Sequence, residues 1–287
     1  MTDSSLVALK KMLLSLSKPL QERLVHFLPQ KTAKALLALS PFEDKIVLKD
    51  IEYDHLLDLV HYSWFLPTLR IYEKKEIALF LLSLAEGQKK NLSSLLDIKL
   101  PKAKLTEKGN NYLRSHLLSS LIGEEREILP FSFLPASELN VLLKFSKKTL
   151  TTLIDFLGLY DLKIELKQVV DPKLLKSIQK CLSKEKLLFF KSIRNGKQTV
   201  FSTKLHLNSW NGEKKSLIAI IHRAGLIRFA KALSRENENL IWYIIHILDI
   251  GRGATLQKFC EKKEKEAIVS FISKQILNVI QTNIQQK

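Results

Sequence analysis

Nine glycines and eight prolines are spread over 287 residues. That is too few turn formers to bend a chain about every 8–12 residues, as a sandwich or barrel demands. The apolar residues instead recur at helical spacing. Leu6, Leu9, Leu13 and Leu16 follow one another at intervals of three and four, which is one face of an α-helix. Pro19 opens a second helix burying Leu20, Leu24, Phe27 and Leu28, and Pro29 opens a third with Ala33, Leu36, Leu37 and Leu39. With 46 % hydrophobic residues there is ample material for a core. The expectation is a mostly α protein, built as an armadillo/HEAT-like stacked helical array.

Residues 66–85 read as one longer helix ending at Gly87. The polar stretch 99–111, with Pro101 and Gly109, reads as a linker, and Thr106 or Asn110 is placed to cap the helix that ends at Ile122-Gly123. This divides the chain into an N-terminal helical domain (1–100), a middle repeat domain (112–193) and a C-terminal helical domain (194–287). Thr199, Phe201, Thr203, Leu205 and Leu207 alternate with more polar neighbours between Asn195-Gly196 and Asn211-Gly212, which predicts a small β-hairpin insertion near 195–207. Gly251-Arg252-Gly253 reads as the C-cap of a helix over 239–249. Pro29 and Ser40, Pro135 and Ser146, and Pro172 and Ser183 are each eleven residues apart. The spacing predicts a repeated unit in which a Pro-initiated helix meets a serine that caps the next helix.

Charge narrows the partner. The formal net charge is +17, from 46 Lys+Arg against 29 Asp+Glu. Residues 1–100 are nearly balanced, with 14 basic and 12 acidic side chains, whereas 144–204 holds 14 against 5. Only 9 of the 46 basic residues are Arg, the residue that forks onto phosphates and bases, so a Lys-dominated docking face is favoured over a duplex footprint. Lys173, Lys176 and Lys180 recur opposite Leu174, Leu175 and Ile178. With Lys163, Lys167, Lys184 and Lys186 they form the candidate basic ridge, suited to an acidic surface. A helical-repeat nucleic-acid binder is the alternative.

Motifs for chemistry are missing. No nucleophile elbow, phosphate loop or dinucleotide turn occurs, which predicts neither an enzyme nor a bound cofactor. Asp54, His55, Asp58 and His61 are the densest candidate metal set, read as an ordinary polar helix face because no paired Cys/His or HExxH spacing supports a site. His222 and His246 lie in apolar runs and read as hydrogen-bonded core or groove histidines, and Trp210, Trp242 and Tyr243 as core aromatics. Cys181 and Cys260 read as small buried hydrophobes. The longest apolar runs, 77–85 and 240–250, fall short of the ~20 residues of a membrane span, and no secretory leader is read.

Residues 153–193 (LIDFLGLYDLKIELKQVVDPKLLKSIQKCLSKEKLLFFKSI) carry a family resemblance. They resemble the C-terminal region of the flagellar motor switch FliG family, in which a Phe- and Asp-containing stretch leads to a helix ending Leu-Arg-Glu-Val-Asp. Here Leu166-Lys167-Gln168-Val169 with Asp171 stands in for that ending, and Ser183 falls at the family's second serine. Segments 12–40 and 77–96 look like the N-terminal and middle repeats of the same family. Val170 is an extra residue, Gln168 replaces an acidic one, and the Glu-His-Pro-Gln and Met-Phe-x-Phe motifs are absent. The resemblance implies a structural scaffold on the cytoplasmic side of a flagellar-like or type III secretion complex, peripheral at the inner membrane. Its partners would be the other proteins of that complex.

Overall fold

The structure, a computed structural model, describes residues 6, 9–10, 13, 17–38, 56–123, 128–169, 171–193 and 201–284. Among them every regular element is helical. The chain divides into two compact units, one of residues 1–59 with 65–136 and one of 60–64 with 137–287.

In the first unit, α1 (Lys18–His26) and α2 (Gln30–Ala38) follow Ser17 and Pro29. After the short α3 (Leu56–Leu59) come α4 (Leu66–Leu69), α5 (Lys74–Leu82), α6 (Glu86–Leu96) and α7 (Glu107–Ile122). The single helix expected over 66–85 is therefore two. A new start is imposed by a capping box, in which the Glu73 N–H donates to Glu76 Oε2 at 3.0 Å. At the start of α6 the Ala85 N–H donates to Gln88 Oε1 at 3.3 Å, so Gly87 lies in a first turn rather than at a helix end. Thr106 is the cap of α7, accepting from the Gly109 N–H at 3.2 Å. Side chains lock these helices together. Gln88 Nε2 donates to Leu57 O (2.6 Å), while Arg114 reaches Ser83 O (2.8 Å) and Asp58 (3.0 Å).

The second unit is organised by α8 (Lys147–Leu166) and the later α11 (Lys214–Leu233). Between them lie α9 (Pro172–Cys181) and α10 (Lys184–Ser192), and after them α12 (Glu238–Ile247), α13 (Ile250–Cys260) and α14 (Glu266–Val279). α8 buries residues on nearly every side, from Leu150 to Leu166, so it is a core helix rather than a surface one. It crosses α11 in backbone contact. A Cβ on Gly158 would stand 2.0 Å from Ile221 O, and one on Gly225 1.8 Å from Ile154 O. Segments read as middle and C-terminal domains thus share one core.

Serine capping follows the sequence spacing at two of its three occurrences. Ser146 accepts from the Thr149 N–H (3.2 Å) and Ser183 from the Lys186 N–H (3.3 Å), while Ser40 lies outside the described residues. Pro172 follows the Asp171 cap, as expected, but Pro135 leads only into a 3-10 stretch, Glu138–Lys144, capped by Ser137.

Two expectations change. Residues 201–206 form no strand, and residues 195–200 lie outside the described residues. The alternation there has a different cause. The N–H of Thr203 donates to Asp161 Oδ1 (2.8 Å), and those of Leu205 and Leu207 donate to the two oxygens of Glu165. A helix face with carboxylates four residues apart replaces the partner strand, and every second backbone donor is satisfied by it. Beneath this strap lies Arg228, fully buried like Asp161. Arg228 Nε reaches Asp161 Oδ2 at 3.0 Å, and its other nitrogens reach Asp161 Oδ1, Gln275 Oε1 and Phe201 O.

The second change concerns Gly251-Arg252-Gly253, which lies in the first turn of α13 with Asp249 as N-cap. Gly253 is required by packing, because a Cβ there would sit 2.5 Å from the Trp64 ring and 2.7 Å from Ile245 O. Trp64 belongs to a short segment, His61–Trp64, clipped onto this unit. The His61 N–H donates to His246 O (2.7 Å) and Trp64 Nε1 donates to Leu248 O (2.9 Å). His246 is buried and stacked between Trp64 and Trp242, with Nδ1 donating to Trp242 O at 2.7 Å. Trp242 and Tyr243 are buried and Trp210 is half-buried. No helix among the described residues is long and apolar enough to cross a membrane.

Candidate functional site

The basic ridge is built on α9 and α10. Asp171 accepts from the Lys173 N–H at 2.8 Å and Pro172 occupies the first turn, so the start of α9 is fixed by sequence. From that start, Ile178 is buried, Leu174 and Leu175 pack against the core, and Lys173, Lys176 and Lys180 point to solvent. Ser183 then sets α10, which buries Phe189 and Phe190 and leaves Lys184 exposed, while Lys167 is exposed at the end of α8. None of Lys167, Lys173, Lys176, Lys180 and Lys184 makes an ion pair among the described residues.

Lys163 and Lys186 turn inward instead. Lys163 Nζ donates to Phe190 O at 3.3 Å and lies 4.7 Å over the Phe190 ring. Lys186 donates to Asp155 Oδ2 at 2.7 Å. Both are half-buried and spend their charge on α8–α10 packing, so the exposed face is smaller than the lysine count implies.

A second constellation joins side chains that are remote in sequence. Lys186 and His222 share Asp155, with His222 Nδ1 2.6 Å from Asp155 Oδ1. Arg252 Nε donates to His222 Nε2 at 2.9 Å and also grips Asp249. Asp249 faces Lys147 at 3.3 Å, and Lys147 donates to His61 Nε2 at 2.9 Å. Because a guanidinium has no acceptor, His222 must present a bare Nε2 and carry its proton on Nδ1, and it therefore donates to Asp155. His61 Nδ1 lies 2.8 Å from Ser63 Oγ, which accepts from the Ile250 N–H (2.9 Å), and 3.3 Å from the Ser63 N–H.

The electrostatics follow from these partners. Burial alone would raise Asp155, but the His222 and Lys186 hydrogen bonds outweigh it and the carboxyl lies below its ordinary range. Burial opposes ionisation of Asp249 too, yet Arg252 and Lys147 bring it down to about 2. His61 is lowered to about 4, first by burial and then by the Lys147 ammonium. Both nitrogens of each histidine are occupied, so neither is poised as a general base. The arrangement is a polar lock across α8, α10, α11, α13 and the His61–Trp64 segment.

The lock has a pH signature. In the unfolded chain His61 titrates near 6.5, in the native chain near 4. Between those values the unfolded state binds the proton and the native state does not, so this contribution is complete above about pH 6.5 and is lost as pH falls toward 4. The His61 ring resonances are expected to titrate near pH 4 in an NMR series. His61→Gln, whose amide offers the same donor and acceptor, should flatten the acid limb of a urea-stability profile relative to the wild type. A ring midpoint at its ordinary value of 6.5 would refute the assignment.

The other candidates resolve by partner. Asp58 is taken by Arg114, Asp54 and His55 lie outside the described residues, and no group of His, Cys, Asp and Glu among the described residues is arranged to hold a metal. Cys260 is buried and its thiol is pushed up to about 12 by burial, and Cys181 is half-buried against the core. The lock went unread in the sequence because its members span positions 61 to 252 with no local spacing; only the capping pattern at Asp249 is local. No protein family, no curated protein and no solved structure matches this chain.

Proposed function

We propose that this chain is a non-enzymatic helical scaffold that docks an acidic protein surface on the exposed lysines of α9 and α10. The observation that carries it is a rigid basic face. Lys173, Lys176 and Lys180 are fixed on the outer side of a helix whose inner side is packed into the core, with Lys167 and Lys184 at its borders and no carboxylate paired to any of them among the described residues. Uncompensated like charges on one face are tolerated most easily where a partner neutralises them. An armadillo-like stacking of its helices is part of this reading, supported by the serine-capped units at Ser146 and Ser183. The resemblance of 153–193 to the FliG family supports a place among the cytoplasmic proteins of a membrane-associated secretion or motor complex.

The test is affinity capture from cells at low salt with the wild type and with Lys173→Glu/Lys176→Glu/Lys180→Glu. A specific acidic protein should be retained by the wild type and lost at least about tenfold in the variant, with unchanged circular dichroism. Mobility-shift assays at two salt concentrations separate the competing class. Binding of DNA or RNA that collapses as salt rises, with no protein partner captured, would replace this reading by a nucleic-acid one.

A further inference from the structure

We propose that α1 and α2 form a docking element for an anionic lipid surface. Helix α1 buries none of its residues. Leu20, Leu24 and Phe27 follow one another at intervals of four and three and share one face, on which they are 43, 38 and 80 % exposed. The opposite side of the helix, Gln21, Glu22, Val25 and His26, lines a cavity with Leu13 and Leu36. Helix α1 thus turns its Leu/Phe flank outward, the reverse of an ordinary surface helix. In α2, Leu36 is buried while Leu37, which also lines that cavity, is 65 % exposed.

The charges around this face decide the partner. Lys18, Arg23, Lys31 and Lys34 are all exposed, and Glu22 is the only carboxylate between residues 18 and 38. A second copy of the chain would bring the same excess of cations against itself, so self-association on this face is opposed. Leucine and phenylalanine anchors bordered by Lys and Arg are the side chains that enter the headgroup–acyl boundary of an anionic bilayer. A single projecting row, Leu20-Leu24-Phe27, needs no complementary pocket there. These residues belong to the first unit, and the lysines of α9 and α10 to the second.

Co-sedimentation of the full chain with phosphatidylcholine vesicles, with and without about one-third phosphatidylglycerol, tests the proposal. Binding is expected to the anionic vesicles alone and to weaken with salt. Leu24→Glu/Phe27→Glu should abolish it, and Lys31→Glu/Lys34→Glu should weaken it about fivefold per cation removed. Because α1 has no buried residue, the far-ultraviolet spectrum should be unchanged; Phe27→Ser gives a milder check on the same face. Lys173→Glu/Lys176→Glu/Lys180→Glu should keep vesicle binding while losing the acidic protein partner, so the two readings fail separately. The proposal is overturned by absence of binding to anionic vesicles, by binding that survives Leu24→Glu/Phe27→Glu, or by binding lost instead in the α9 variant. A dimer in sedimentation equilibrium that Phe27→Ser dissolves would also overturn it, since a second copy would then cover the face.

Discussion

Arg228→Met is expected to destabilise the chain by about 3–5 kcal/mol, measured by urea unfolding at neutral pH. The methionine fills most of the volume, so the loss is electrostatic. Arg228 and Asp161 are both without solvent exposure, and removing the guanidinium leaves a carboxylate buried with the Thr203 N–H as its remaining donor. The same change releases Gln275 and the carbonyl of Phe201, loosening the strap over α8. Burial already pushes the Asp161 carboxyl up from its ordinary value, against the pull of Arg228. Without Arg228 only the Thr203 N–H opposes that upward push. A raised native pKa means that the native state holds its proton more tightly than the unfolded state, so the penalty in Arg228→Met should shrink as pH falls and grow as it rises. Arg228→Met/Asp161→Asn, which removes the orphaned charge and keeps an acceptor for Thr203, should recover a large part of the loss. No recovery in the double variant would show that packing, not charge, sets the cost.

The second large effect is expected at the α8–α11 crossing. Adding one methyl group at Gly158 or Gly225 drives a carbon to within 2.0 or 1.8 Å of a backbone carbonyl oxygen on the facing helix. A flexible side chain can yield to such a contact; two long helices, buried along both lengths, cannot without separating. Gly158→Ala and Gly225→Ala should each cost about 3 kcal/mol or more, at the upper end of overpacking penalties. The sign is what makes the prediction sharp, since alanine in place of a helical glycine otherwise stabilises by up to about 1 kcal/mol. Gly87→Ala in α6, where an added Cβ meets nothing within 4 Å, serves as the matched control and should be neutral or stabilising. Equal behaviour at positions 87 and 158 would remove the basis for the close crossing.

What was legible in the sequence was whatever is local. The helical class, the caps at Thr106, Ser146, Asp171 and Ser183, and the two faces of α9 all follow from neighbours a few residues apart. The failures come from distant partners. Gly253 carries the same local signal as a helix-ending glycine, yet Trp64 is what requires it. Residues 201–207 alternate as a strand would, because an extended segment must offer its donors to something, and the sequence does not reveal that Asp161 and Glu165 accept them. Lys186 has the spacing of a ridge residue, but Asp155, thirty-one positions earlier, draws it inward. Of the candidate site, the exposed lysines were readable from periodicity, whereas the histidine–cation lock was not.

The His61–Trp64 clip has a consequence for how the protein is made. These residues leave the ribosome early, but their hydrogen-bonding partners at Leu248 and Ile250 follow 184 and 187 positions later. The second unit therefore cannot close co-translationally as its own helices emerge; its last piece is already synthesised and must wait, unpaired, for nearly the whole remaining chain. Such a late, long-range closure makes final annealing slow relative to helix formation. It also means that a fragment beginning at residue 137 would lack a native part of its own interior, however well its boundaries respect the helices.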